Sequence, residues 1–360
     1  MLRFYTPAYF RKKSMSHPIL ITFLVIALIL AALVSVSVGP ANISFGEIVK
    51  IFLAKLRLID AKDINLLHEN IILDIRFPRV ILAIICGMAL SLAGVVLQAL
   101  LRNPLADPYI IGISSGAALG ATLAIALGLI SLISLAGFLG AVMSMFLVYN
   151  LARTGYKVPV QTLLLAGVIV SVFLSALISL TAFLMGKSMY QVMLWLMGNL
   201  SEPNLGLIAI AGFMVLTGAI VVYIFSRDLN IISIGEESAQ YLGVEVEAVK
   251  KILFVVASLM TGAVVALTGL IGFVGLIIPH IMRLVVGPDH RILSVVSLLA
   301  GGIFLVLADL FARTIISPAE IPVGVVTALF GGPFFLLLLK RSRRDKSLLH
   351  PSLRSGKKQA

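Results

Sequence analysis

The sequence predicts an all-α, polytopic membrane protein with about ten transmembrane helices and both termini in the cytoplasm. Three observations carry this. First, 60% of the 360 residues are hydrophobic and 12% are charged, with a mean hydropathy of +1.11, whereas soluble domains run near half apolar and about a quarter charged. Second, apolar runs long enough for a crossing, about 20 residues, recur along the whole chain. Third, Lys and Arg gather on alternate connections. A chain with so little charge cannot clothe itself in polar surface. That excludes a water-soluble enzyme, a disordered chain and a disulfide-stapled secreted domain. The single cysteine, Cys86, sits in an apolar run and reads as a small buried side chain. No Cys/His or carboxylate cluster has metal-ligand spacing, so neither a metal nor a cofactor is expected.

In chain order the apolar runs are 18–38, 78–101, 110–131, 133–151, 160–185, 205–225, 252–270, 271–287, 293–315 and 322–339. The first follows Arg11, Lys12 and Lys13 and lacks a small-residue cleavage site. It exceeds the apolar core of a signal peptide and reads as a retained helix. With the N-terminus inside, 20 of the 28 Lys and Arg residues fall on the inner side, including a basic tail at 340–360. The outer side holds Lys50, Lys55, Arg57, Lys62, Arg76, Arg79, Lys187 and Arg313. The net charge of +12 is therefore a topology signal. The expected surroundings are membrane lipid, with no nucleic-acid partner, because the basic tail adjoins a span rather than forming a folded basic domain. Residues 1–360 form one transmembrane domain whose spans occupy 18–339.

Three connectors are too long or too polar to be plain turns. In the outer loop 40–77, Phe45, Ile48, Val49, Phe52 and Leu56 recur at helical spacing after Ser44 and Glu47, which read as a capping box opening an amphipathic helix over 44–58. Residues 187–204, with Tyr190 and Trp195, read as an aromatic outer-interface segment. Inside, 226–251 carries five of the 16 acids among Ile231, Ile232, Ile234, Leu242 and Val244. It is either a docking surface for a soluble partner or a solvated connector.

Several motifs fail on inspection. Gly186-Lys187-Ser188 lacks the first glycine of a phosphate-binding loop, since position 181 is Thr, and it ends a span instead of joining a strand to a helix. Any ATP hydrolysis must then come from another chain. Gly112-Ile113-Ser114-Ser115-Gly116 matches a nucleophile elbow in spacing but follows a Pro108 turn rather than a strand. An intramembrane serine protease using Ser114 and His280 stays as an alternative, although no catalytic residue is expected. Gly112, Gly116 and Gly120 instead offer a bare helix face for close packing. Asp309 and Arg313 stand one turn apart and can pair, as a structural ion pair or as part of an ion-coupled secondary transporter. Arg76, Arg79 and Arg313 break the positive-inside trend. Their planar forks suit carboxylates, while snorkelling to lipid phosphates is the competing role.

At this point the residues resemble a family. Arg76-Phe77-Pro78-Arg79, Gln98, Arg102-Asn103-Pro104-Leu105-Ala106-Asp107-Pro108, the stretch Gly272 to Arg283, Ala308-Asp309 with Arg313, and Glu320 to Thr327 are similar to the FecCD-type permease subunits of type II ABC importers for iron–siderophore complexes, haem and cobalamin. The resemblance implies a non-enzymatic subunit of the inner cell membrane. It would pair with a second copy of itself and work with two cytoplasmic ATPase subunits and an extracytoplasmic substrate-binding protein. It places binding-protein docking at Arg76, Arg79 and Arg313. ATPase coupling falls on Gly235, Glu236, Ala239, Leu242 and Gly243, and a cytoplasmic gate on Pro159, Val160 and Gln161. Iron–siderophore is the cargo first expected, with haem or cobalamin as alternatives.

Overall fold

A computed structural model describes residues 16–59, 64–186, 189–201 and 204–349. The described chain is helical, apart from its connections and one isolated bridge between Thr154 and Lys157 in a tight turn. α1 (His17–Ser37) is followed by α2 (Phe45–Lys55), and α3 (Leu66–Asn70) runs through a π-helical turn, Ile71–Arg76, into α4 (Phe77–Leu100). Pro78 lies in the first turn of α4 and has no N–H to give the preceding turn, a condition under which a helix widens locally. The rest comprises α5 (Ile113–Ala126), α6 (Ile133–Ala152), α7 (Val160–Leu184), α8 (Met189–Leu196), α9 (Leu205–Ile224), α10 (Ser226–Ile234), α11 (Glu236–Tyr241), α12 (Val246–Thr268), α13 (Val274–Val286), α14 (His290–Thr314) and α15 (Val323–Leu349).

Among the described residues, seven helices are long and apolar enough to cross a membrane, and Ile113–Ala126, Val274–Val286 and Val323–Leu337 are shorter apolar helices. These ten coincide with the ten runs of the sequence. The short ones have a reason. At 1.5 Å per residue α5 spans only about 21 Å, against a hydrocarbon thickness of about 30 Å. Its crossing is completed by the one-turn 3-10 helix Pro108–Ile111 and by Gly112, whose φ of 81° suits glycine. The runs 252–270 and 271–287 are separated by the irregular stretch Gly269–Phe273, where Gly269 has φ 67° and Phe273 φ 70°. Thr268 meets Cys86, midway along α4, at 3.7 Å between Oγ1 and Sγ, so this stretch lies at depth. Backbone can leave the helix there only if its polar groups find partners in the protein. Ile271 N donates to the Tyr109 hydroxyl at 2.6 Å, Asn199 N to Thr268 O at 2.7 Å and Gln98 Nε2 to Gly275 O at 3.2 Å.

α4 is the mast of the bundle and is buried along most of its length. It packs against α14 and α13 through residues without bulk. Gly87 abuts the main chain of Gly301, Gly94 that of Gly275, and Ser91 Oγ donates to Ser297 O at 2.7 Å. The amphipathic outer helix is α2, shorter than the expected 44–58. Ser44 Oγ accepts from Glu47 N at 3.3 Å, but the Glu47 carboxylate turns away to His68 Nδ1 at 2.6 Å, so only half of the capping box forms. Its inner face, Ile48 and Ile51, is buried, and Phe52 meets Phe77 edge-on at 5.4 Å. α2 therefore seats on the start of α4, with only Phe45 and Val49 of its apolar residues turned out. Lys187, Ser188 and the outermost parts of both basic termini lie outside the described residues. Within the tail, α15 continues as helix through Leu349.

Candidate functional site

The three outer arginines face inward. Arg76, Arg79 and Arg313 are 4%, 6% and 2% exposed. Arg79 forks onto Asp309 with Nε at 3.0 Å and Nη2 at 2.8 Å from Oδ1, and its Nη1 donates to Glu320 Oε2 at 2.8 Å. Arg313 Nε stands 3.6 Å from Asp309 Oδ2, the i,i+4 pair expected from the sequence. Asp309 is thus shared by two guanidinium groups, the arrangement of a structural ion pair. Arg76 donates to Val36 O, Ser37 O and Ala41 O, and Arg313 Nη2 donates to Ser35 O and Ser35 Oγ. Both therefore satisfy carbonyls at the C-terminal end of α1, where a helix has no partners of its own and carries partial negative charge. Gly39 leaves room for this, since a Cβ there would lie 2.7 Å from Arg76 Nη2. Snorkelling is not their role. They join α1, α4 and α14 to the connection before α15.

On the inner side, α10 and α11 carry the polar segment, hinged at Gly235. The residues named for ATPase coupling divide. Leu242 and Gly243 are exposed, Ala239 is fully buried, and Glu236 turns back to Lys250 Nζ at 3.3 Å. The outward face is apolar where a solvated connector has no reason to be: Ile234 is 77%, Tyr241 92% and Leu242 67% exposed. α10 is itself anchored. Asn230 Nδ2 donates to Asp289 Oδ1 at 2.8 Å, and Asn230 Oδ1 accepts from His290 N at 2.8 Å, so the segment is tied to the start of α14. The Asn230 hydrogen bond, aided by that from Arg291 N and by the nearby Arg291 charge, holds the Asp289 carboxyl below its usual range.

Pro159, Val160 and Gln161 open α7 beside this segment. Pro159 is its N-cap with φ −63°, Pro159 and Gln161 are exposed, and Val160 is half-buried. The preceding residue, Val158, is gripped on both sides: its N–H donates to Glu247 Oε2 at 3.0 Å and its carbonyl accepts from Lys250 Nζ at 2.8 Å.

The glycines on α5 also divide. Gly116 lies against the main chain of Gly140 and Gly120 against that of Ala136, bringing α5 onto α6. Gly112 stands ahead of the helix, at the left-handed turn, and its carbonyl accepts from Ser144 Oγ at 2.7 Å. Ser114 Oγ is buried with no hydrogen-bond partner among the described residues, while His280 packs edge-on against Phe334 at 6.4 Å. No Ser–His dyad forms, and the protease alternative falls.

Sequence reasoning missed Lys250 and Glu247 as partners and Tyr241 as the most exposed aromatic of the segment. The available signal was an i,i+3 pair of opposite charge, Glu247 and Lys250, just before a span.

Comparison with known proteins agrees along nearly the whole chain. The sequence profile of the FecCD transport family matches residues 26–341. The cobalamin import system permease BtuC of Halobacterium salinarum is 46% identical over 282 residues, 78% of this chain and 76% of its own. The hemin transport system permease HmuU of Yersinia pestis is 36% identical over 337 residues, 91% and 97% respectively. A solved chain described as a metal-chelate type ABC transporter in an inward-facing conformation superposes with a TM-score of 0.77 at 31% identity, covering 90% of this chain and 99% of that one.

Proposed function

The chain belongs to the FecCD transport family, and from that premise we propose how it works and what it carries. It is a multi-pass permease subunit of an ABC importer in the cytoplasmic membrane. The reading is that two copies enclose a pathway, two ATPase chains sit on α10 and α11, and a binding protein delivers cargo from outside. ATP drives alternating access, because it binds more tightly to one arrangement of the assembly than to the other. ATP hydrolysis belongs to the partner chains. The observation that carries this reading is the exposed Ile234, Tyr241 and Leu242 on an otherwise polar inner segment. Replacing Leu242 by Asp is expected to release the ATPase subunits in a pull-down while the permease still inserts. Undiminished co-purification would remove the assignment.

Docking of the binding protein is assigned to the outer mouth braced by Arg76, Arg79 and Arg313. An incoming carboxylate reaches Arg79 by taking the place of Glu320, whose side chain is 35% exposed, so docking and loosening of the mouth become one event. Glu320→Gln should then tighten binding of the loaded binding protein, and weaker or equal binding removes this assignment. For cargo, the reading is a metal chelate, with iron–siderophore first. Haem and cobalamin are the alternatives, favoured by relatives named for hemin and cobalamin. Equilibrium dialysis of the partner binding protein against each chelate decides among them.

A further inference from the structure

We propose that Lys250 is the positioning residue that passes movement of the ATPase-docking segment to the cytoplasmic gate. The inference rests on the docking assignment of α10–α11 made above and on the cytoplasmic gate that the family resemblance implies at Pro159–Gln161. Lys250 is 7% exposed, and its ammonium group has three donors. All three are spent on different pieces of chain: Val158 O at 2.8 Å, Glu236 at 3.3 Å and Glu247 Oε1 at 3.1 Å. Glu236 is the first residue of α11, directly after the Gly235 joint, and Tyr241 and Leu242 end the same short helix on its exposed side. A push on that face tilts α11 and carries Glu236 with it.

At the other end of the linkage stands Val158, held through both its N–H and its carbonyl by Glu247 and Lys250. The next residue is Pro159, whose ring fixes φ and which has no N–H to exchange for another partner. Displacement of Val158 is therefore handed to Val160 and Gln161 and along α7, instead of being absorbed by a rotation at the joint. A buried ammonium cannot let one carboxylate go without finding another partner, so the three pieces move together or the ammonium changes partners as a unit. A small, mostly apolar cavity of about 20 Å³ adjoins the side chain, lined by Leu97, Tyr149, Val158, Glu247 and Phe254 together with Lys250.

The test uses the complete transporter, with its ATPase subunits and binding protein, in proteoliposomes. Three quantities are read: ATPase retained, ATP hydrolysed, and cargo moved per ATP. Lys250→Met is expected to keep the ATPase and its hydrolysis within about twofold while cargo per ATP falls at least about tenfold, inside the usual range of site-to-site coupling. Lys250→Arg restores most of the loss because charge and donors return, a rescue that a purely structural role of the alkyl stem does not predict. Cargo per ATP unchanged in Lys250→Met overturns the proposal. So does loss of the ATPase in that variant, since Lys250 would then only shape the docking face. If Lys250→Met does not accumulate, Glu247→Gln decides: a clear fall in cargo per ATP sustains the linkage and a wild-type value overturns it. Co-purification of the ATPase with Leu242→Asp reports separately on the docking assignment beneath.

Discussion

Each end of the bundle is tied together by one basic side chain shared between two carboxylates, but the two ties are made of different materials. Outside, Arg79 presents a planar fork to Asp309, whose side chain is 1% exposed, and Arg313 closes on the same carboxylate. Inside, Lys250 offers a point charge to Glu236 and Glu247, whose side chains are 26% and 28% exposed. A guanidinium fork fixes direction as well as distance, while an ammonium on a four-carbon stem can trade one oxygen for another. The outer tie also finishes the end of α1, whereas the inner tie holds a main-chain residue, Val158, just before Pro159 at the start of α7. The difference teaches where this permease is a frame and where it is a linkage.

Four substitutions break or sharpen that contrast, taken from the largest expected effect downward. Asp309→Ala leaves the buried Arg313 guanidinium without a carboxylate and Arg79 with only the partly exposed Glu320, and should cost about 3–5 kcal/mol. It reads as loss of folded permease in the membrane and an earlier thermal transition in detergent. Were it tolerated as well as an inner-side change, the outer cluster would not be a frame. Gly94→Ala probes the mast between the two ends. A Cβ there collides with the Gly275 main chain, at an overpacking cost of about 1–3 kcal/mol, again measured by thermal unfolding. Glu247→Gln should cost clearly less than Asp309→Ala, because the Glu247 side chain is 28% exposed and the buried Lys250 ammonium keeps Glu236 as its carboxylate partner. It should nonetheless reduce cargo moved per ATP, and this reversal of effects is the sharpest form of the comparison.

Asp289 gives the smallest effect. Its carboxyl is held low in the folded state, so the stability that it contributes is present above the ordinary aspartate value of about 4 and is lost as pH falls from there through the lowered folded-state value. Asp289→Asn keeps a capping side chain at the start of α14 and should flatten that acid limb in a pH series of thermal melts, with little change at pH 7. An acid limb of undiminished slope would show that other carboxylates govern it.

The ten crossings were legible because lipid leaves the chain few choices: each crossing needs its run of apolar residues, and the charges must sort. What the runs hid was the manner of their interruption. The boundary between the runs 252–270 and 271–287 falls inside Gly269–Phe273, but how a non-helical stretch is tolerated there was hidden, because its partners, Tyr109 and Asn199, lie far away in sequence. The outer arginines were legible as exceptions to the charge rule but not as inward-facing groups. Arg79 and Asp309 stand 230 positions apart, and no local pattern records such a meeting. Ala239 and Glu236 were legible as members of the polar inner segment, yet which of its residues face outward depends on how two short helices turn at Gly235. Of the glycine row, Gly116 and Gly120 lie against α6, whereas Gly112 serves the left-handed turn before α5.

The capping of α1 bears on how the protein is made. Among the spans described, this one leaves the ribosome early, yet the groups that complete its outer end belong to Arg76 and to Arg313, the latter 278 residues beyond Ser35. Until that distant arginine has been synthesised and its helix inserted, the carbonyls of Ser35 lack their final partner. The outer end of α1 is thus finished by a residue of α14, so that end is complete only once the later helix has been inserted beside it.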